Sequence, residues 1–194
     1  LPQQQTIRDV LDSDAVCLVT KETQLETLLS SLPKKPRLVV TDSQAFGFVN
    51  KVVPKDIPLT SFSMLFARYK GDLFALADGA DTLDKLRDGD RVLISEGCTH
   101  HRQCNDIGTV KLPNWVSKYT GKDIVFDFTS GRDFPEDVSE YSLVIHCGGC
   151  MLNDAEISSR AKRAKAQGVP MTNYGTAIAK MHGILERAIK PLKP

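Results

Sequence analysis

Ser142-Leu143-Val144-Ile145-His146-Cys147-Gly148-Gly149-Cys150 is a short apolar run that ends in a histidine, two glycines and two thiols. A run of this length, bounded by turn residues, reads as a buried strand. Chemistry placed at the end of such a strand points to a parallel α/β sheet, where ligands gather in the crevice beyond the carboxyl edge. The pattern recurs upstream, where an apolar run at 91–95 leads into Glu96-Gly97-Cys98-Thr99-His100-His101. Read together, the two loops give Cys-x-His, 45 residues, then His-Cys-x-x-Cys. Three thiols and two imidazoles at strand ends make a soft donor set suited to iron–sulfur or zinc.

Working outward, apolar runs alternate with helical periodicity along the whole chain. Strands are expected at 15–20 (AVCLVT), 37–41, 58–62, 91–95, 124–129, 143–146 and 169–172. Leu25, Leu28, Leu29 and Leu32 repeat at helical spacing up to Pro33. Phe46, Val49 and Val53 mark a second helix before Pro54. Leu65, Tyr69, Leu73 and Leu76 suit one longer helix, weakened in its middle by Gly71. Leu112, Trp115, Val116 and Tyr119 form another, closed by Gly121. Asn153 with Glu156 gives a capping-box signature for a helix that runs to Gly168. Ile178, Met181, Leu185 and Ile189 line a last one, and residues 1–5 read as a frayed lead-in. Strands alternating with helices imply βαβ units and right-handed crossovers. The expectation is an α/β chain of two small units, each a mainly parallel sheet flanked by helices. The charged turn Arg87-Asp88-Gly89-Asp90 divides them into 1–88 and 89–194, with the metal loops at the C-terminal strand edge of the second. Thr129-Ser130-Gly131 and Asn173-Tyr174-Gly175 fall at the same edge.

A length of 194 residues, 41% hydrophobic and 25% charged, is that of an ordinary globular chain. A net charge of +1 implies neither nucleic acid nor an anionic membrane as partner. No apolar run of membrane-spanning length and no leader pattern is present, so a cytoplasmic location is expected. Five cysteines, four of them between 98 and 150, do not resemble a disulfide scaffold. A thioredoxin-like Cys-x-x-Cys opens a helix after a first strand; here His146 and the distant Cys98-x-His100 favour metal.

Cys-x-His is too tight to serve as the second pair of a zinc knuckle. Cys98, Cys147 and Cys150 suit three corners of a four-iron cubane, leaving the fourth iron to His100, His146, a neighbouring side chain or an exogenous ligand. Spacing alone ranks iron–sulfur ahead of zinc, and zinc stays open as a stabiliser of an interaction domain without cargo. A thiol-redox pair at Cys147 and Cys150 is the third reading. A labile iron suits a cluster that binds something, since electron-transfer ferredoxins use four thiolates. Blander roles suit other residues: Cys17 as a buried small hydrophobe, Cys104 as a loop thiol, His182 as a packing residue and His101 as solvated. Arg160, Lys162, Arg163 and Lys165 read as the wet face of a helix. No phosphate loop and no nucleophile–base pair is legible.

With these motifs in view, the chain resembles the HydF family, the GTPase maturation factors of FeFe-hydrogenases. The resemblance is densest in CTHH (98–101), DIGTVKLPNW (106–115), HCGGC (146–150) and TNYG (172–175). PLTSFSMLFARYKGDL (58–73) adds to it. It implies a dimerisation domain followed by a cluster-binding domain, without the family's GTPase domain, and hence no GTP hydrolysis by this chain. It also implies that Cys98, Cys147 and Cys150 hold a 4Fe-4S cluster, with His100 and His146 as fourth ligands or as groups behind the ligands. The implied role is a homodimeric scaffold. It takes a diiron subcluster precursor from radical-SAM maturases and passes it to apo FeFe-hydrogenase.

Overall fold

The computed structural model describes residues 2–97 and 106–193. Two parallel sheets carry the chain. β1 (Val39–Thr41) pairs with β2 (Leu59–Ser61) in the smaller. The larger contains β3 (Arg91–Glu96), β4 (Val125–Ser130), β5 (Leu143–His146) and β6 (Met171–Asn173), in the order β4-β3-β5-β6. All its pairings are parallel, with Ser95 opposite both Thr129 and His146.

The apolar runs explain the depth of the two middle strands. Side chains of a strand alternate between faces. Val92, Ile94, Leu143 and Ile145 join the larger hydrophobic cluster, whereas Leu93 and Val144 join a second one with Phe134, Val138 and Ala164. All six strand residues are 0–1% exposed, as expected where helices cover both faces of a parallel sheet. Each aliphatic side chain so buried contributes about 1.5–3 kcal/mol. On the first face lie α6 (Leu112–Thr120) and α8 (Tyr174–Met181), and on the second α7 (Asp154–Ala166). The larger cluster continues through Phe46, Leu59, Met64 and Leu73, so both sheets share one apolar core.

In the first half, α2 (Leu25–Ser31) and α3 (Phe46–Val52) stand where the periodicity places them. Residues 62–80 are two helices, not the single one expected. α4 (Phe62–Lys70) stops at Gly71, and Asp72 restarts the chain as N-cap of α5 (Leu73–Ala80), accepting from Phe74 N–H and Ala75 N–H. α5 packs on β6 so closely that a Cβ on Gly79 would stand 2.0 Å from the Met171 carbonyl oxygen. The last helix is also divided, into α8 and α9 (Leu185–Ile189), at Gly183 with φ +67°.

Two further expectations are corrected. The N-terminus is a helix, α1 (Pro2–Asp12), rather than a frayed lead-in. The run at 15–20 forms no strand; Val16, Leu18 and Val19 are 86%, 56% and 74% exposed, and Cys17 is half-buried rather than a core residue. Strand character is local, but a strand exists only where a neighbour supplies hydrogen bonds. His182 is exposed, with its ring beside Gly47.

Candidate metal centre

The strand order creates the site. From β3 the chain crosses to β4 on one side, and from β5 it crosses to β6 on the other. The crevice between β3 and β5 is therefore a topological switch point, the position at which open α/β sheets bind ligands. The loops leaving these strands begin at Gly97 and at Cys147. The ladder continues one step past β5, with Cys147 N–H donating to Ser95 O at 2.8 Å. Gly97 N–H then donates to Cys147 Sγ at 3.0 Å, and Gly149 N–H to the same sulfur at 3.4 Å.

Two amides aimed at one sulfur form a cradle for a thiolate. Burial pushes the Cys147 thiol above its ordinary value, and those two N–H donors oppose the shift. A nearby cation would complete the balance, because a buried anion without compensation is costly. Gly149 has φ +61°, and a Cβ there would also stand 2.5 Å from Ile157 Cδ1. Only glycine suits that position, which lets the turn fold its amide back onto the sulfur.

The turn is held from below by a side chain that sequence reading did not single out. Lys70, the last residue of α4, donates from Nζ to Leu152 O at 2.7 Å, Gly149 O at 3.3 Å and Cys150 O at 3.5 Å. Cys150 itself is half-buried. Its backbone is thus tied to an element of the smaller sheet's half of the chain. Nothing in the sequence marks this role for a lysine, because its partners are backbone carbonyls.

Opposite the cradle, Tyr174 Oη donates to Glu96 Oε1 at 3.4 Å. Asp106 accepts from Gly108 N–H at 3.0 Å and Thr109 N–H at 3.1 Å, starting the π-turn Ile107–Lys111 that leads into α6. Burial acts to raise the Asp106 carboxyl, but the Thr109 and Gly108 donors outweigh it and hold the group below the usual carboxylate range. A Cβ on Gly108 would stand 2.3 Å from Tyr174 Oη and 2.4 Å from Glu96 Oε1. Asp106 and Gly108 together bring this turn against the loop edge. Burial, then the neighbouring Glu96 carboxylate, pushes the Tyr174 phenol far up, so it stays protonated as a donor.

His146 closes β5 and is 2% exposed. Its Nδ1 lies 2.7 Å from Cys147 O, and its Nε2 lies 3.1 Å from Arg160 Nη1. Burial lowers its pKa from 6.5 to about 4, so the ring is neutral. Arg160 corrects the expectation of a solvated helix face: it is 2% exposed, while Lys162 and Lys165 on the same helix are exposed. It donates to Glu156 Oε1 at 2.8 Å and to Gly131 O at 2.7 Å, and lies 5.2 Å from the Phe134 ring centroid. Its spacing from buried Ala164 was the available signal, since residues four apart share a helix face.

Of the five expected metal residues, Cys147, Cys150 and His146 are placed at one sheet edge, and Cys98 and His100 lie outside the described residues, as do His101 and Cys104. Among the described residues no group of three or more His, Cys, Asp or Glu is arranged to hold a metal ion. Thr129 and Gly131 reach the same edge, through Thr129 Oγ1 to Ser95 Oγ at 3.0 Å and the Gly131 carbonyl on Arg160.

The Hydrogen maturase F dimerization domain family matches residues 1–71, and the Hydrogen maturase F tetramerization domain family matches residues 74–191. The chain belongs to the HydF family. The two matches meet between α4 and α5, and α5 packs on β6 of the larger sheet. Both HydF matches are to oligomerisation domains, and neither is to a GTPase domain. No curated protein matches the chain. Among the described residues, no helix is long and apolar enough to cross a membrane.

Proposed function

We propose that this chain serves FeFe-hydrogenase maturation as an iron–sulfur scaffold and carrier module. Cys98, Cys147 and Cys150 would hold a 4Fe-4S cluster at the β3–β5 switch point. When bound, the cluster supplies an iron with an exchangeable position to which a diiron precursor can attach. The chain's own residues do the rest. Gly97 and Gly149 amides stabilise thiolate sulfur, Lys70 fixes the turn, and Glu96, Asp106 and Tyr174 line the far side of the loop edge. Radical-SAM maturases would supply the precursor and apo FeFe-hydrogenase would receive it, with self-association through the regions that the family matches describe. No step in this role asks a side chain to break a covalent bond.

The observation that carries the reading is the 3.0 Å bond from Gly97 N–H to Cys147 Sγ. Gly97 immediately precedes Cys98 in the chain, so the residue that leads into the first half of the motif donates to a sulfur of the second, which supports the reading. The donor set also fits: thiolates with converging amides are the ordinary surroundings of iron–sulfur clusters.

Anaerobic reconstitution with iron and sulfide tests the proposal. The expected product holds iron and acid-labile sulfide in equal amounts and loses both when Cys98, Cys147 or Cys150 is changed to Ala. Stoichiometric zinc without sulfide would refute it in favour of a zinc-stabilised interaction domain. Full reconstitution of a Cys147→Ala chain would refute the ligand assignment.

A further inference from the structure

We infer that His146 is a positioning residue of the metal loop, its Nε2 lone pair taken by Arg160 instead of a metal. The inference rests on the reading of Cys147 as a ligand, because the atom that His146 holds is the carbonyl of that residue. The hydrogen-bonding roles follow from elimination. A backbone carbonyl only accepts and a guanidinium only donates. Nδ1, 2.7 Å from Cys147 O, must therefore carry the proton. Nε2, 3.1 Å from Arg160 Nη1, must present its lone pair. A neutral imidazole has one such lone pair, and here it is used.

The face of the strand agrees with this assignment. Ile145 belongs to the cluster on the α6 and α8 side, and Val144 to the cluster on the α7 side. His146, two residues after Val144, continues the α7 side, where its ring lies 6.5 Å from that of Phe134. Ligation through Nε2 would have to displace Arg160, which is 2% exposed and anchored by Glu156, Gly131 and the Phe134 ring. Ligation through Nδ1 would break the bond to Cys147 O and shift the proton to Nε2, setting donor against donor at Arg160. Both routes undo a buried network to gain one ligand.

What the network provides is aim. A trans peptide directs its C=O and N–H to opposite sides. Fixing the Cys147 carbonyl on His146 therefore turns the following Gly148 N–H away from the histidine. Arg160 acts through the imidazole on the first peptide of the Cys-Gly-Gly-Cys turn.

Two measurements on the full chain test this. In metal-free protein, long-range nitrogen–proton NMR should show His146 as the neutral Nδ1–H tautomer with an accepting Nε2. The Nε2–H tautomer would overturn the inference, whether or not a cluster ever binds. In the anaerobically reconstituted, reduced protein labelled with 15N-histidine, His146→Gln should leave the nitrogen hyperfine pattern unchanged. Both His146→Gln and Arg160→Leu should speed cluster loss to a chelator by roughly tenfold to a hundredfold, the usual effect of removing a group behind a metal ligand. A strong histidine coupling that vanishes in His146→Gln and persists in Arg160→Leu would overturn the inference. Failure to bind iron and sulfide at all would instead refute the cluster reading, leaving the tautomer to decide the role of His146.

Discussion

Replacing Lys70 by Met keeps the length and apolar stem of the side chain while removing its three hydrogen bonds to the turn. The dominant loss is the 2.7 Å bond to Leu152 O, since the contacts to Gly149 O and Cys150 O are 3.3 and 3.5 Å. A hydrogen bond from a charged donor contributes about 1.5–3 kcal/mol. The ammonium also sits 5.6 Å from the Phe66 ring centroid, a contact that contributes about 0.5–1 kcal/mol at a half-exposed site. Because Lys70 is only half-buried, water recovers part of this, and the expected destabilisation is about 2 kcal/mol. For a chain of this size that lowers the melting temperature by about 4–8 °C. Urea unfolding of the metal-free protein should show a lower midpoint with an unchanged slope. Arg68→Met is the control: it removes a like charge two residues earlier on the exposed face and should stay within about 0.5 kcal/mol. In reconstituted protein, Lys70→Met should also release iron to a chelator faster than Arg68→Met does. Equal stability of the two variants would refute the claim that Lys70 fixes the turn.

Arg160→Leu leaves the buried His146 Nε2 and Gly131 O without a donor and should cost about 3 kcal/mol in urea, whereas Lys162→Leu on the same helix should cost less than about 0.5 kcal/mol. Gly108→Ala should cost about 1–3 kcal/mol, because its methyl would meet Tyr174 Oη and Glu96 Oε1. Adding Tyr174→Phe should recover part of that cost, and strict additivity in the double-mutant cycle would exclude this clash. The Asp84 carboxyl is held below its ordinary value of 3.8, first by the Lys180 ammonium and then by the Tyr119 hydroxyl. Its unfolded form binds a proton first as pH falls, so its stabilisation is present above about pH 4 and is lost as pH drops through the lower folded value. Lys180→Met should flatten that acid limb of the urea midpoint against pH; parallel curves for the two proteins would refute the assignment.

Much of the fold was legible because the two middle strands, covered by helices on both faces, must be apolar throughout. The runs at 92–94 and 143–145 could hardly have been anything else. The approach of Gly97 to Cys147 followed from the same inference, since parallel strands deliver their ends to one edge. What escaped was of a different kind. The break before α5 was written in Asp72, a capping residue ahead of an apolar run, but the continuing periodicity of Leu65, Tyr69, Leu73 and Leu76 masked it. The first helix opens on a polar Gln-rich segment, which drew the reading away from the helical spacing of Ile7, Val10 and Leu11 behind it. The run at 15–20 has strand composition, but composition names no partner strand. Arg160 looked solvated because it stands among three other basic residues, and only its spacing from Ala164 betrays its burial. Lys70 left no trace at all, because a lysine that binds carbonyls has no sequence counterpart.

The two margins of the larger sheet differ in a way that bears on assembly. On β6 the Met171 carbonyl faces α5, and the near contact at Gly79 roofs that border. On β4, whose Val125 and Phe128 are 47% and 42% exposed, no strand among the described residues lies alongside the border turned away from β3. A sheet roofed on one side can extend only from the other. Two copies joined there about a two-fold axis would use up both open borders at once, so strand-by-strand addition ends at a pair and cannot run on into a fibre.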